Sequence, residues 1–287
     1  MDADGVIVGS LQLWLLSCSR LLNGNSFRVI AFFVNFAHVK YSFLAMAGIL
    51  LILFALSACA GFVQRVSGFG FGIFIMMFLP YIMPSYNEAV ALSGILSGCT
   101  AMLIVVRNRH YIQWRAIPVV LLSNIAVSYF VIMYMGAVDG LVLRRCLGVV
   151  LMLVSLYFIF LERRARMLFS SRWSQATVGA LSGLMGSMFA MPGPPVVLYG
   201  VSVIKDKRAY MATMQTFWLL FNVAYLYFRS GRGYYTADTP LCLCAGIAGV
   251  FLGIYVGARV FGMINKGLLK KVIYILMLLS GLVALLK

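Results

Sequence analysis

Long runs of uncharged, mostly apolar residues follow one another along the chain, separated by short segments that carry its charges. The main uncharged stretches cover residues 41–64, 66–87, 89–106, 116–138, 146–161, 173–204, 209–228, 239–258 and 272–286. A helix needs about 20 apolar residues to cross the hydrocarbon of a bilayer, and most of these stretches are near that length. Strands of a membrane barrel would instead alternate apolar and polar residues. The pattern therefore predicts an all-α polytopic membrane protein with about 8–10 transmembrane helices.

Ten apolar segments follow from these runs, five on each side of a basic segment at 163–174. They lie near 43–62, 69–83, 88–106, 116–136 and 141–160 in the first group, and near 175–190, 194–204, 208–228, 240–262 and 267–286 in the second. Landmarks recur between the groups: Gly61 and Arg107 have counterparts 122 residues later, at Gly183 and Arg229. The recurrence predicts an internal duplication.

The predicted organisation is an N-terminal extension at 1–45, interfacial or poorly ordered, a first repeat at 46–162, a basic cytoplasmic connecting loop at 163–174 and a second repeat at 175–287. If all ten segments cross, each repeat crosses five times and the second repeat is inverted, as in many secondary transporters. If the short segments 69–83 and 194–204 only re-enter the membrane, the parity changes and the inversion does not follow.

Composition and charge narrow the class of protein further. Hydrophobic residues make up 63% of the chain and charged residues 10%, against about 25% charged in a typical soluble domain, so a soluble fold is excluded. The net charge of +16 comes from basic residues in short loops. This is the positive-inside pattern of a multi-pass protein of the cell membrane, in a bacterium the inner membrane, and it indicates no nucleic-acid partner. The six cysteines form no CxxC pair, and no metal or cofactor is predicted.

Two stretches rich in glycine or proline interrupt the helical pattern, one in each repeat. The first runs from Gly61 to Gly72 and the second from Gly179 to Pro195. Each glycine weakens a helix by about 1 kcal/mol relative to alanine, and proline ends a helix because it lacks the N–H donor. Paired interrupted segments point to the binding site of a transporter, since the ends of broken helices present N–H groups that favour anions. Close helix packing is the alternative explanation for the glycines.

These stretches carry a family resemblance. The run Gly68-Phe69-Gly70-Phe71-Gly72 resembles the first signature of the sulfite exporter TauE/SafE family. The run Met191-Pro192-Gly193-Pro194-Pro195, followed by Tyr199, resembles the second, although it is proline-rich where many relatives have a GxGGG-like run. The resemblance covers about residues 46–287. It implies an integral membrane permease for sulfite, sulfonates or other small organic anions.

The candidates for anion binding are the residues of the two breaks and the polar residues within apolar segments. Arg65 is the charged residue of the first break, and a guanidinium binds an oxyanion with two parallel hydrogen bonds; a snorkelling arginine at the interface is the alternative. Hydrogen bonding between helices is the alternative for the asparagines and Gln215. The candidates are Gln64, Arg65, Ser67, Gly68, Gly70, Gly72, Asn124, Pro192, Gly193, Pro194, Pro195, Tyr199, Gln215 and Asn222. Glu88 opens a segment, where it is expected to cap a helix rather than to carry protons.

The residues that the predicted spans lack constrain the mechanism. None of the seven acidic residues falls in the middle of a span, whereas proton-coupled pumps usually keep an intramembrane carboxylate. No P-loop pattern indicates ATP hydrolysis, and no HExxH or GxSxG motif indicates an enzyme. We therefore expect a secondary permease that exports a small sulfur-containing or organic anion along the membrane potential. An anion channel on the same scaffold and a non-transporting scaffold or enzyme are the alternatives, and the oligomeric state stays open.

Overall fold

The computed structural model describes the backbone of residues 24–160, 171–260 and 266–286. Side chains are described for residues 46–156, 171–260, 274–275 and 277–286. The chain forms two compact units, Met1–Ile49 and Leu50–Lys287, and the contacts discussed below belong to the second. The predictions for residues 1–23 and for the basic loop at 163–170 lie outside the described residues.

The described residues form eleven α-helices and no strand. The helices are α1 Gly24–Ser67, α2 Phe71–Ile75, α3 Leu79–Ile82, α4 Tyr86–Asn108, α5 Pro118–Met135, α6 Gly140–Phe160, α7 Arg172–Phe189, α8 Gly193–Val203, α9 Lys207–Arg229, α10 Thr239–Val260 and α11 Lys266–Leu286. Within the described residues, the helical segments long and apolar enough to cross a membrane are Met46–Ser67, Tyr86–Tyr111, Pro118–Met135 and Thr239–Val260. The predicted all-α membrane fold is confirmed, while the number of full crossings stays a prediction.

Most predicted segment limits fall within a few residues of these helices, with three differences. The first segment, predicted at 43–62 after an interfacial or poorly ordered extension at 1–45, is part of a longer helix, because α1 already begins at Gly24. The segment at 69–83 is two short helices, α2 and α3, rather than one. Pro80 accounts for the interruption, because proline has no N–H to bond the carbonyl four residues earlier. Residues 172–174, predicted to belong to the connecting loop, form the first turn of α7. Ser171 starts this helix, since its Oγ accepts a hydrogen bond from the Trp173 amide at 3.3 Å.

The order and lengths of the helices recur between the two halves. α4 and α9 both have 23 residues, and α6 and α11 both have 21. A short helical segment precedes each 23-residue helix: α2–α3 precedes α4, and α8 precedes α9. α4 packs against its counterpart α9, and α6 packs against α11. α5 packs against α7, while its counterpart α10 packs against α1. The duplication and its inversion across the membrane both stay predictions.

Glycines bring several of these helices into backbone contact. Where α7 crosses α5, a Cβ on Gly179 would lie 2.3 Å from the Val120 carbonyl oxygen, and one on Gly183 would lie 2.6 Å from that of Asn124. Gly253 permits a similar contact where α10 crosses α1. Small residues allow such close approach between membrane helices. Close helix packing, the alternative for the glycines, therefore accounts for Gly179 and Gly183.

Candidate functional site

The two interrupted segments meet in the interior of the second unit. A Cβ on Gly72 of the first break would lie 1.9 Å from the Ala190 carbonyl oxygen of the second, so the two backbones are in direct contact. A cavity of about 30 Å³ lies beside this contact and is here called the break crevice. Five of the predicted binding residues line it, namely Gln64, Gly70, Gly72, Pro192 and Gly193.

Glycine and serine shape the first break. Gly68 and Gly70 have φ angles of 86° and 99°, in the left-handed region that costs a residue with a side chain about 1–2 kcal/mol. The Ser67 hydroxyl lies 2.7 Å from the Val63 carbonyl oxygen and 2.6 Å from that of Phe69. The hydroxyl therefore stabilises the turn between α1 and α2 and does not line the break crevice.

The second break is built from an alanine and three prolines. Ala190 ends α7 with a φ of 54°. The Ser182 hydroxyl donates to the Pro192 carbonyl oxygen at 2.8 Å and holds the start of α8 against α7. Because positions 192, 194 and 195 are prolines, Gly193 supplies the single backbone N–H of this run. The second break therefore offers an anion few backbone donors.

Two glutamines connect the first break to α9. Gln64 Nε2 donates to Gln215 Oε1 at 2.9 Å, and Gln215 Nε2 donates to the Gly68 carbonyl oxygen at 3.0 Å. Among the described residues, Gln64 Oε1 and Trp218 Nε1 are buried atoms that have no hydrogen-bond partner. Both side chains line the break crevice. Sequence reasoning missed Trp218, although its spacing from Gln215 and Asn222 places all three on one helix face.

Four other predicted residues lie outside the break crevice. Asn124 Nδ2 donates to Ser182 Oγ at 3.1 Å and joins α5 to α7. The Tyr199 hydroxyl donates to a backbone carbonyl oxygen before α5 at 3.0 Å. Pro194 and Pro195 line an apolar cavity beside α6 and α7. Hydrogen bonding between elements, the alternative considered for the asparagines, thus describes the contacts of Asn124.

Most of the residues around the break crevice belong to the stretches that carry the family resemblance. The family model described as sulfite exporter TauE/SafE matches residues 53–284, which include both breaks. The chain belongs to the sulfite exporter TauE/SafE family. It is therefore a multi-pass membrane protein of a transporter family for sulfite and related sulfur anions. No curated protein and no solved structure matched the chain.

Arg65 lies apart from the break crevice of this TauE/SafE protein. Consecutive residues of an α-helix point about 100° apart, so Arg65 and the neighbouring Gln64 face different cavities. Arg65 lines a groove of about 390 Å³ together with Arg107 and Arg259, here called the basic groove. Its buried Nε has no hydrogen-bond partner among the described residues. An anion bound to Arg65 would therefore lie in the basic groove rather than between the breaks.

A second buried cavity, of about 10 Å³, is lined by Arg229 and Ala190 and is here called the arginine cavity. The Arg229 side chain is 2% exposed, and its Nη2 donates to the Ser187 carbonyl oxygen at 2.6 Å. Among the described residues, its Nε and Nη1 have no hydrogen-bond partner and no carboxylate pairs with it. In the sequence, Arg229 is noted only as the counterpart of Arg107 and is not predicted to bind an anion. An arginine that ends an apolar helix is common at a membrane interface, so its position alone does not indicate a binding site.

Tyr235 and Asn222 line the same cavity as Arg229. The Tyr235 hydroxyl is a buried atom with no hydrogen-bond partner in the described part of the chain. Burial raises the pKa of Tyr235, and the nearby Arg229 guanidinium opposes this rise. The phenol therefore keeps its proton at neutral pH and is available as a donor. Asn222, a predicted binding residue, donates from Nδ2 to the Trp218 carbonyl oxygen at 2.8 Å.

Glu88 lies in the first turn of α4, where an acid complements the helix N-terminus as expected, but its side chain is not the cap. Ser85 is the cap, since its Oγ accepts from the Glu88 amide at 3.1 Å and a short side chain suits this position. Glu88 Oε1 instead accepts from the Thr236 hydroxyl at 2.8 Å and from the Thr239 hydroxyl at 2.5 Å. The buried carboxylate therefore ties the segment before α10 to the start of α4.

Proposed function

We propose that this TauE/SafE protein is a secondary carrier that exports a small sulfur-containing anion, such as sulfite or a sulfonate, through the break crevice. One observation carries the proposal: Gly72 and Ala190, 118 residues apart in sequence, meet beside a buried cavity that contains unpaired polar atoms. Secondary transporters bind their substrates where interrupted helices of two repeats meet. Family membership supports the choice of a sulfur anion.

The unpaired atoms of the break crevice suit a protonated oxyanion. The indole Nε1 of Trp218 can only donate, so it suits an anionic oxygen. Gln64 Oε1 can only accept, and hydrogen sulfite can donate its own proton to this atom. The sulfite dianion, and a sulfonate that carries no other donor group, have no proton to donate and would leave Gln64 Oε1 buried and unpaired. The crevice therefore suits hydrogen sulfite better than either of these. Between the two forms of sulfite, it is proposed to select the monovalent one.

The small size of the break crevice favours a carrier over an open channel. A cavity of about 30 Å³ holds about one or two water molecules, so sulfite can enter only when the two breaks separate. Gly68 and Gly70, with positive φ angles, are the positions at which the backbone can change direction most easily. Separation of Gly72 from Ala190 toward one side at a time would give alternating access.

The membrane potential is proposed as the driving force. Moving one charge through 100 mV changes its free energy by about 2.3 kcal/mol, and a negative interior favours the exit of an anion. The Glu88 carboxylate accepts hydrogen bonds from two threonines and does not line the break crevice. The two repeats are proposed to be inverted, so that equivalent motions open the crevice to either side.

Sulfite efflux from proteoliposomes under an imposed potential tests this proposal, with sulfoacetate, taurine and sulfate as competitors. We expect saturable flux that increases with an inside-negative potential and falls about tenfold in Gln64→Ala, because the crevice loses its acceptor and its link to α9. Ser202→Ala is the control, since that hydroxyl bonds the carbonyl oxygen of Leu198 in its own helix.

Three outcomes would contradict parts of the proposal. Flux that ignores the potential would exclude the proposed driving force. Linear flux without counterflow would identify the channel alternative. Absence of flux for every sulfur anion would overturn the carrier and direct the search to carboxylates.

Arg65 is proposed to attract the anion toward the protein rather than to bind it between the breaks. Its basic groove gathers three arginines, and such a concentration of charge increases the local anion concentration in a salt-dependent way. Arg65→Gln should raise the half-saturation concentration for efflux at low salt and leave the maximal rate unchanged. A lower maximal rate that salt does not affect would contradict this role.

A further inference from the structure

Arg229 has surroundings that a structural arginine does not usually have. Its guanidinium is buried at the end of α9, and the polar groups that act on its charge are tyrosines rather than carboxylates. Nη2 bonds the Ser187 carbonyl oxygen in the last turn of α7, where a cation is favourable. This contact leaves Nε and Nη1 buried without partners within the described residues. The guanidinium also lies 5.6 Å from the centre of the Tyr234 ring, and Nη2 lies 3.7 Å from Met135 Sδ, but neither group supplies a counter-charge. A buried charge that lacks a counter-charge is strongly unfavourable, so its retention requires a reason beyond these contacts.

Glu88 is the buried acid among the described residues and lies two positions before Val90, which lines the arginine cavity, but it does not supply the missing counter-charge. Its Oε1 accepts from the hydroxyls of Thr236 and Thr239, and no ion pair with Arg229 is present among the described residues. The arginine cavity instead contains further donor capacity. The Tyr235 hydroxyl lines it, is buried and has no hydrogen-bond partner in the described part of the chain. A cation and a neutral donor that share a cavity lined by no carboxylate among the described residues indicate a site for an anion.

The arginine cavity adjoins the break crevice. Ala190 lines both cavities, so its backbone forms part of the wall of each. Ala190 is also the described residue with a side chain that adopts a positive φ, 54°. It is the same residue whose carbonyl oxygen contacts Gly72. Movement of this turn would therefore change the wall between the two cavities.

We infer that Arg229 and Tyr235 form a second binding position for an oxyanion of sulfur, one step from the break crevice across the Ala190 turn. The inference rests on the proposed function for the identity of the anion as the transported substrate, but the binding itself does not require transport. At about 10 Å³ the arginine cavity has room for no more than one water molecule, so it must enlarge by movement of the Ala190 turn before a sulfite or sulfonate group can enter. Several oxygens of such a group can then accept from both Arg229 and Tyr235. Chloride is less suitable because it has no separate acceptor atoms with fixed directions.

Thermal unfolding of the purified, detergent-solubilised full chain tests the position. The protein is titrated with sodium sulfite, sodium sulfoacetate and, at matched ionic strength, sodium chloride. We expect the two sulfur anions, but not chloride, to raise the unfolding midpoint of the wild type. Arg229→Gln should raise the half-saturation concentration about tenfold or more. Its midpoint without anion should equal or exceed that of the wild type, because the unpaired buried charge is gone.

Two further variants keep the test decisive if Arg229→Gln folds poorly. Tyr235→Phe removes a hydroxyl that has no partner among the described residues, so it should leave the anion-free midpoint unchanged and raise the half-saturation concentration about fivefold. Arg232→Gln is the matched control, because Arg232 bonds backbone carbonyl oxygens of Phe228 and Ile132 and does not line the cavity. It should keep the full response to sulfite.

The outcomes separate this inference from the proposed function. An Arg229→Gln protein with a lower midpoint and a normal sulfite response would identify a structural arginine and overturn the inference. A normal half-saturation concentration for sulfite in Tyr235→Phe would overturn the inference that Tyr235 and Arg229 bind the same anion. Normal saturable efflux in Arg229→Gln would mean that the transported anion does not pass the Arg229 position. The proposal that the protein is a carrier would be unaffected. Sulfite stabilisation that requires Arg229 in a protein without sulfur-anion flux would support the position and overturn the carrier.

Discussion

The two breaks interrupt equivalent places in the two halves by opposite chemical means. The first relies on glycine: Gly68 and Gly70 take φ angles of 86° and 99°, and none of residues 68–72 lacks an N–H group. The second relies on proline, so that Gly193 has the single N–H between positions 192 and 195. Its positive φ, 54°, falls on Ala190. Equivalent position in the two halves therefore does not imply equivalent chemistry, and donors for an anion are to be sought in the first break and in α9.

The largest expected effect comes from the contact between the breaks. In Gly72→Ala, the new Cβ would lie 1.9 Å from the Ala190 carbonyl oxygen, a backbone atom that cannot move aside independently. We expect the free energy of unfolding to fall by about 3 kcal/mol or more, at the upper end for overpacking. The measurement is thermal unfolding in detergent, with sulfite efflux as the functional readout.

Gly193→Ala is the matched control in the second break. Its Cβ would be 4.0 Å from the nearest atom, Phe69 Cδ2, which is an ordinary contact. We expect a change within about 0.5 kcal/mol. Equal effects of the two substitutions would contradict the described contact and the asymmetry between the breaks.

The sequence was sufficient to predict most of the helices and the two breaks, for a physical reason. Apolar length dictates where a membrane helix can lie, and glycine or proline dictates where it cannot continue. The limits of α4, predicted as 88–106 and observed as Tyr86–Asn108, illustrate the first point. The crevice lining by Gly72 and Gly193 illustrates the second. Both properties are local, so a single sequence contains them.

The sequence was not sufficient to predict which polar groups share a cavity. Gln64 and Arg65 are neighbours in the chain but face different cavities, because the helix turns about 100° per residue. Arg229 has the same local pattern as an interfacial arginine, and only the tertiary fold buries it in a cavity with Tyr235. Trp218 reads as an apolar residue until its N–H group is found without a partner among the described residues. These properties depend on which helices meet.

An intermediate effect is expected where Gln215 of α9 holds the first break. Gln215→Leu removes the acceptor of Gln64 Nε2 and the donor to the Gly68 carbonyl oxygen. Each buried group left unpaired is costly, so we expect a loss of about 2 kcal/mol in the free energy of unfolding. Thr216→Val is the control, since the Thr216 hydroxyl bonds the Ala212 carbonyl oxygen of its own helix.

The double variant Gln64→Leu and Gln215→Leu distinguishes a lost hydrogen bond from a general disturbance of α9. Removing both partners of a buried bond costs less than leaving one unpaired. The double variant should therefore be more stable than the sum of the two single variants predicts. Strict additivity would mean that the two side chains do not depend on each other, contrary to the 2.9 Å hydrogen bond between them.

The smallest expected effects are a mirrored pair that tests the backbone angles of the two breaks. Gly70→Ala should lower the free energy of unfolding by about 1–2 kcal/mol, because alanine is strained at a φ of 99°. Ala190→Gly should raise it by up to about 1 kcal/mol, because glycine relieves the strain at 54° but gains freedom in the unfolded chain. Chemical or thermal unfolding of both variants measures the difference.

Gly231→Ala separates backbone strain from loss of space in this comparison. Gly231 has a φ of 77°, and a Cβ added there would meet no described atom within 4 Å, so its substitution reports the conformational cost alone. A Gly70→Ala loss close to that of Gly231→Ala would assign the effect to φ, since the Gly70 Cβ would only touch Val63 at 3.4 Å. A destabilised Ala190→Gly would mean that the Ala190 methyl group contributes more through packing than its backbone angle costs. The second break would then be held by side-chain contacts and the first by backbone freedom, which would widen the difference between them.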